Sequence, residues 1–199
     1  MQKIVLASNN AGKIKELNRL LGSLDITVVS QKELNIPSIE ETGQTFIENA
    51  ILKARHAAAV SGLPALADDS GLEVDALQGA PGIYSARFAG ESASDQDNNA
   101  KLLQLLANTP TGARTARFHC VLAFMRHEAD PVPIICHGAW EGSIAEQTSG
   151  GGGFGYDPLF WLSDRQCTSA ELTPEQKNAL SHRGQAMAQL VAELTRLYG

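Results

Sequence analysis

Two adjacent carboxylates, Asp68 and Asp69, stand where the apolar run Ala65-Leu66-Ala67 gives way to Ser70-Gly71. Acidic side chains at the end of a buried strand can hold a divalent cation and orient a water molecule. Taken alone, Asp-Asp-Ser-Gly also suits an ordinary turn, because Asp readily bonds its own backbone. Two further clusters favour the chemical reading. Ser8-Asn9-Asn10-Ala11-Gly12-Lys13 lies near the amino terminus, and Phe154-Gly155-Tyr156-Asp157 lies late in the chain. Together they point to metal-assisted chemistry on a phosphorylated small molecule.

Ser8 to Lys13 falls between the apolar run Ile4 to Ala7 and a helical pattern, where free backbone N–H groups and the positive end of a helix dipole attract phosphate. Lys13 adds a point charge. The spacing is not the Walker pattern G-x-x-x-x-G-K-[ST], and a plain strand-to-helix turn is the other reading. Glu40-Glu41 reads either as a surface pair or as further oxygen ligands, since Mg2+ takes one or two carboxylates, several waters and phosphate oxygens. Lys53 stands one turn after Asn49 on a helix that leads into the strand ending at Asp69. Phe154-Gly155-Tyr156-Asp157-Pro158 combines two aromatics, a glycine and an acceptor carboxylate, which suits stacking on a base and bonding its edge, although aromatics beside glycines are also ordinary core material. Ser181-His182-Arg183 opens the last helix with Lys177 shortly before it. There Ser181 is either a cap beside an exposed His182 and Arg183, or part of the site. Acyl transfer has little support: G-x-S-x-G is absent, and Cys120 follows His119 inside a predicted strand. His119 and His137 lack zinc-ligand spacing.

A net charge of -6 disfavours binding to a nucleic-acid backbone through a general positive field, so the cations must act locally. Cys120, Cys136 and Cys167 are odd in number and far apart, which suggests reduced thiols and no disulfide framework. No stretch approaches the roughly 18 apolar residues of a membrane span, and the amino terminus carries no signal-peptide pattern. A cytoplasmic protein without a membrane or nucleic-acid partner is expected.

The chain has 199 residues and 43% hydrophobic content, enough for one domain built as two lobes. Ile4 to Ala7 reads as a strand, Gly12 to Leu21 as a helix and Ile26 to Val29 as a second strand. Ser30 to Gly43 reads as loop. Thr45-Phe46-Ile47-Glu48 fits a capping box, opening a helix to about Ser61 whose polar face carries Asn49, Lys53 and His56. A strand then ends at Asp68-Asp69, with Leu72 to Val74 as a short partner beyond a glycine turn. Ser94 to Asp97 precedes a helix with Leu102, Leu103, Leu105 and Leu106 on its apolar side. Ala116 to Phe124 and Val132 to Trp140 read as a long hairpin, Gly150 to Gly153 as a flexible hinge or loop, and Thr173-Pro174 and Ser181 as helix starts. Asn108 to Thr115 and Ser163 to Thr168 read as loops. The order implies an α/β fold with a mixed sheet, a long antiparallel hairpin and two lobes around a central cleft, over residues 1–199.

The ordered motifs Ser8-x-Asn10-x-x-Lys13, Glu41-Thr42-Gly43, Phe46-x-x-Asn49-Ala50-x-x-Lys53-Ala54, Ala67-Asp68-Asp69-Ser70-Gly71-Leu72, Phe154-Gly155-Tyr156-Asp157-Pro158 and Ser181-His182-Arg183 are those of a known family. Along essentially its whole length the chain resembles the inosine and xanthosine triphosphate pyrophosphatases. That resemblance implies Mg2+-dependent hydrolysis of ITP, dITP and XTP to the monophosphate and pyrophosphate by a homodimer. It implies that Ser8, Asn9, Asn10, Ala11, Gly12 and Lys13 hold the phosphates. Asp69 is then the catalytic carboxylate, with Asp68 beside it and Lys53 assisting. Ser70, Phe154, Gly155, Tyr156, Asp157, Lys177, His182 and Arg183 contact the nucleotide, and Glu41 and Asp69 ligate the metal, with Glu40 and Asp68 as substitutes. A phosphatase, a kinase or a nucleotide-sensing module without turnover are the rival readings. Carboxylates near phosphates favour catalysis, because without a metal they repel the ligand.

Overall fold

A strand buried on both faces reads as an uninterrupted apolar run. Ile4, Val5 and Leu6 of β1 (Gln2–Leu6) are such a run, and each is essentially inaccessible in the computed structural model, which describes residues 2–9 and 11–199, the side chains of Ala11, Glu16, Leu20 and Ser23 excepted. β1 pairs in parallel with β2 (Ile26–Ser30) on one side and with β3 (Ala65–Val74) on the other. Among the described residues there are seven strands in one mixed sheet, ordered β2-β1-β3-β4-β5-β6-β7, and five α-helices. The remaining strands are β4 (Thr115–Met125), β5 (Ile134–Ile144), β6 (Phe160–Leu162) and β7 (Cys167–Thr168), of which β5, β6 and β7 pair antiparallel in turn. No helix among the described residues is long and apolar enough to cross a membrane.

The chain forms two compact units. The first comprises Met1–Asp69, Val121–His137 and Ala186–Gly199. Here α1 (Ala11–Leu21) links β1 to β2, and the Asn18 side chain grips both backbone groups of Val28, accepting at 2.8 Å and donating at 2.9 Å. α2 (Phe46–Ser61) starts at Thr45, whose hydroxyl accepts from Glu48 N–H, while the Glu48 carboxylate takes Gln44 N–H at 2.8 Å. Ala50, Ala54, Ala57 and Ala58 form its buried face, packed with Ala65 and Ala67 of β3. Side chains this small let helix and sheet approach closely, so that polar groups beside the alanine face reach the strand; an Ala54→Leu change would overpack this contact, at a cost of about 1–3 kcal/mol.

The second unit comprises Ser70–Cys120 and Gly138–Gln185. Its core gathers Leu72, Val74, Phe118, Trp140, Tyr156 and Phe160 with Leu102 and Leu106 of α3 (Asp95–Leu105) and its end. The Ser94–Asp97 capping box opens α3, satisfying two of the orphan donors at its start. Leu105, expected on the apolar side, is instead 50% exposed, because residues 102, 103 and 106 complete the stripe at helical spacing and 105 falls off it. α4 (Pro174–Leu180) starts with proline at its first position, and α5 (His182–Tyr198) follows at once.

The sequence expectation fails at Asp68 to Gly71. There is no turn: β3 runs unbroken from Ala65 to Val74. Local turn propensity loses to sheet pairing: the register with β1 ends at Leu66, and β4 is the sheet neighbour on the other side of β3.

Candidate active site

In the first unit, β1 passes the chain through α1 to β2 on one side, whereas β3 lies on its other side. Such a switch point leaves space beyond the carboxyl ends of the strands, where ligands bind in open α/β sheets. Ser8 and Asn9 follow β1, and Gly12 and Lys13 lie in the first turn of α1, with Ser8 half-buried and Asn9 and Gly12 exposed. Asn10 lies outside the described residues. β1 is in register with β3 only at Val5–Ala65 and Leu6–Leu66, so Asp68 and Asp69 project beyond the last paired residues.

Because consecutive strand residues point to opposite faces, the two carboxylates enter different surroundings. Asp68 meets α1: both of its oxygens accept from Lys13 Nζ, at 2.8 and 2.6 Å. Asp69 meets α2: its Oδ1 accepts from Lys53 Nζ at 2.8 Å, and the same ammonium donates to Glu41 Oε1 at 2.7 Å. The structure therefore joins Glu41 with Asp69 and places Asp68 with Lys13. Glu40 is exposed.

Glu41 sits on a strap pinned at both ends by one face of α2. His56 Nε2 donates to Pro37 O at 2.8 Å, and Gly43 N–H donates to Asn49 Oδ1, also at 2.8 Å. Lys53, between those two positions on the helix, holds Glu41 itself. Gly43 is needed for this approach, since a Cβ there would lie 2.6 Å from Asn49 Oδ1. Asn49, 1% exposed, also lowers the Asp69 pKa through its side chain. It stands beside Asp69, although the sequence reading gives it only a place on the polar face and in the Phe46 to Ala54 motif, with no role; its four-residue offset from Lys53 is the signal.

Two carboxylates share one ammonium, and the electrostatics follow from that count. Burial raises the Asp69 carboxyl above its usual value and Glu41 adds to the rise, outweighing the opposing effect of Lys53. Burial pulls the Lys53 ammonium down, but Asp69 and Glu41 together outweigh it, and the net direction is up. A carboxyl raised in this way is suited to taking a proton from water.

In the second unit, Phe154 is 65% exposed, with Lys177 Nζ 5.0 Å and Arg183 Cζ 6.0 Å from its ring centroid. An exposed aromatic with cations beside it is a stacking surface for a flat, electron-rich ring. Arg183 Nη2 also donates to Ser70 Oγ at 3.3 Å. Asp157 organises this loop from beneath. It is 2% exposed, accepts from Phe154 N–H at 2.8 Å and Ser169 Oγ at 2.7 Å, and pairs with Lys177. Gly153 has φ +77°, and a Cβ on it would lie 2.0 Å from Asp157 Oδ2, so only glycine fits. The glycine run, expected as a flexible hinge or loop, is an exposed loop in which Gly152 N–H donates to Ala170 O at 3.0 Å.

Three expectations change here. Tyr156 does not face a ligand: it is 4% exposed, and its hydroxyl donates to Ser85 O at 2.8 Å within the core. The Asp157 carboxylate is engaged by its own loop and by Lys177, so it serves as framework where the sequence suggested an acceptor for a base edge. His182 is not exposed either; it is 8% exposed and stacks on Phe118 at 4.9 Å. Ser181 caps α5, accepting from Gly184 N–H at 3.2 Å. His119 pairs with Glu73 at 2.7 Å, and no group of three or more His, Cys, Asp or Glu among the described residues could hold a metal.

Residues 4–193 match the model of the Ham1 family. A Photobacterium profundum protein named dITP/XTP pyrophosphatase is 61% identical over 194 residues, covering 98% of both chains. One of the same name from Vibrio vulnificus is also 61% identical, over 98% of this chain and 97% of that one. The structure of a HAM1 protein from Coxiella burnetii superposes with a TM-score of 0.96 at 54% identity, over 98% of this chain and all of that one. The family match spans residues 4–193, which include every motif described above, and the chain belongs to the Ham1 family.

Proposed function

We propose that this protein hydrolyses the non-standard purine nucleotides ITP, dITP and XTP to the nucleoside monophosphate and pyrophosphate, removing them from the nucleotide pool. The relatives' names support the substrate class. The observation that carries the chemistry is the convergence of Glu41 Oε1 and Asp69 Oδ1 on one cationic point beside the β1–α1 junction. In this reading Ser8, Asn9, Asn10, Ala11, Gly12 and Lys13 hold phosphates, and Ser70, Phe154, Lys177, His182 and Arg183 serve a purine base.

A divalent ion fits the donor set. Two carboxylates at one point, with no third acid, His or Cys among the described residues, match Mg2+, which completes its shell with waters and phosphate oxygens. Glu41 and Asp69 would hold it, and when bound it supplies charge neutralisation at the phosphate oxygens. The chain's own groups do the rest. Asp69 orients a water and accepts its proton as the oxygen attacks the α-phosphorus; the bond to the bridging oxygen breaks and pyrophosphate departs, its charge met by Lys13. Lys53 stabilises charge near that water. Arg183 has only donors, so it donates to a purine 6-oxygen and leaves an adenine 6-amino group facing another donor. A homodimer acting in the cytoplasm, on nucleotides and not on nucleic acid or membrane, completes the proposal.

The test is a panel of ITP, dITP, XTP, GTP and ATP with Mg2+, with products separated. Monophosphate plus pyrophosphate from the first three supports the reading. Stepwise loss of phosphate would indicate a phosphatase, and binding without turnover a sensor module.

A further inference from the structure

We propose that Asp95 is a positioning residue for substrate selection, holding Phe154 as a fixed stacking surface through the peptide of Gly155. This rests on the reading of Phe154 as the partner of the base. Gly155 N–H donates to Asp95 Oδ2 at 2.6 Å, and Gly155 C=O accepts from Asn99 Nδ2 at 2.9 Å. Asp95 and Asn99 are one turn apart on α3, so a single helix face grips both backbone groups of one residue. That residue is a glycine at φ +60°, and its neighbour's N–H is held by Asp157. Three backbone groups are thus fixed beneath a side chain that is itself 65% exposed. Such fixation does not bury the ring; it presents it.

The second jaw gives an independent reason to look for function here. Asn99 is 7% exposed and its Oδ1 is buried without a hydrogen-bond partner. The amide's Nδ2 is committed to the Gly155 peptide at that expense, since a buried acceptor left unpaired lowers stability. A ring fixed before the nucleotide arrives does not have to be ordered on binding, which favours affinity for the base without touching the reacting phosphates.

The test is a double-mutant cycle on the full-length protein with Mg-ITP. Asp95→Ala is expected to raise KM about tenfold with kcat within about twofold, and Asp95→Asn, which keeps an oxygen for Gly155 N–H, to restore KM to within about threefold. In a Phe154→Ala background, Asp95→Ala is expected to add nothing, because the ring it positions is gone. Inhibition by inorganic tripolyphosphate, which lacks a base, should be unchanged in every variant. The proposal is overturned if Asp95→Ala raises KM equally with and without Phe154, if Asn does not rescue, or if tripolyphosphate binding weakens in parallel. Failure of the underlying reading looks different: the parent protein would not release pyrophosphate from ITP, or Phe154→Ala alone would leave KM unchanged.

Discussion

Replacing Lys53 by Met removes one positive charge from between two carboxylates while keeping most of the side-chain volume. The ammonium lies 2.7 Å from Glu41 and 2.8 Å from Asp69, and the three side chains are 16%, 27% and 11% exposed. A unit-charge pair at about 4 Å in a partly buried setting is worth about 4 kcal/mol before desolvation is subtracted. Breaking a fully buried pair by removing one partner costs about 3–5 kcal/mol. The residual exposure of Glu41 trims that to about 2–4 kcal/mol, which for a chain of this size lowers Tm by about 4–16 °C. The sign with pH follows from the directions of the shifts. The raised Lys53 value means that its stabilisation is fully present below the ordinary lysine range and is lost only as pH rises through the folded value, so it operates fully at pH 7.5. In Lys53→Met the two carboxylates repel until they protonate, so the Tm deficit should narrow as pH falls toward 4. Mg2+ should relieve the same repulsion, and millimolar MgCl2 should raise Tm more in the variant than in the parent. Differential scanning fluorimetry across pH and MgCl2 measures all three effects. A variant within 1 °C of the parent at pH 7.5, or one with the parent's response to Mg2+, would refute the reasoning.

Asp69→Asn should lower kcat for ITP at least about a hundredfold. Because burial raises the Asp69 carboxyl, its charge costs stability above the folded value, and the change leaves Lys53 balanced by Glu41; Tm at pH 7.5 should therefore be no lower than the parent's, and a large drop by calorimetry would contradict the charge count. Arg183→Ala should reduce the ratio of kcat/KM for ITP over ATP, and an unchanged ratio in steady-state assays would remove Arg183 from base selection. Asp130 is 2% exposed and accepts from Arg126 Nε at 2.8 Å, Arg126 N–H at 3.0 Å and Val132 N–H at 3.1 Å; the Arg126 side chain foremost holds its carboxyl well below the usual range. A depressed value stabilises above the unfolded carboxylate pKa of about 3.9 and is lost as pH falls through the folded one, so Asp130→Asn should show a Tm deficit at pH 7 that shrinks below about pH 4.

Elements set by local rules were legible in the sequence. The apolar run of β1, the Thr45 cap and alanine face of α2, the Ser94 cap of α3 and Pro174 at the start of α4 all carry their signal within a few residues. Features decided by tertiary pairing were not. Asp68-Asp69-Ser70-Gly71 has turn chemistry yet lies inside β3, because pairing within the sheet outweighs local preference. β6 and β7, at three and two residues, are too short to show periodicity, and β7 lay within a stretch that reads as loop. The candidate site followed the same division. Lys13, Lys53, Glu41 and Asp69 could be named from their types and motifs, but the pairing of Asp68 with Lys13, and of Asp69 with Glu41 through Lys53, depends on the alternation of a strand that the sequence ended too soon. Tyr156 could not be separated from Phe154 by type, since only the core around Ser85 decides which aromatic is buried.

Hydrolysis of ITP in 18O-labelled water, followed by mass spectrometry of the products, tests the central claim most directly. Attack on the α-phosphorus predicts one label in the nucleoside monophosphate, none in the pyrophosphate, and the two products in equal amounts. Label in pyrophosphate or in inorganic phosphate, or release of a nucleoside diphosphate, would contradict it.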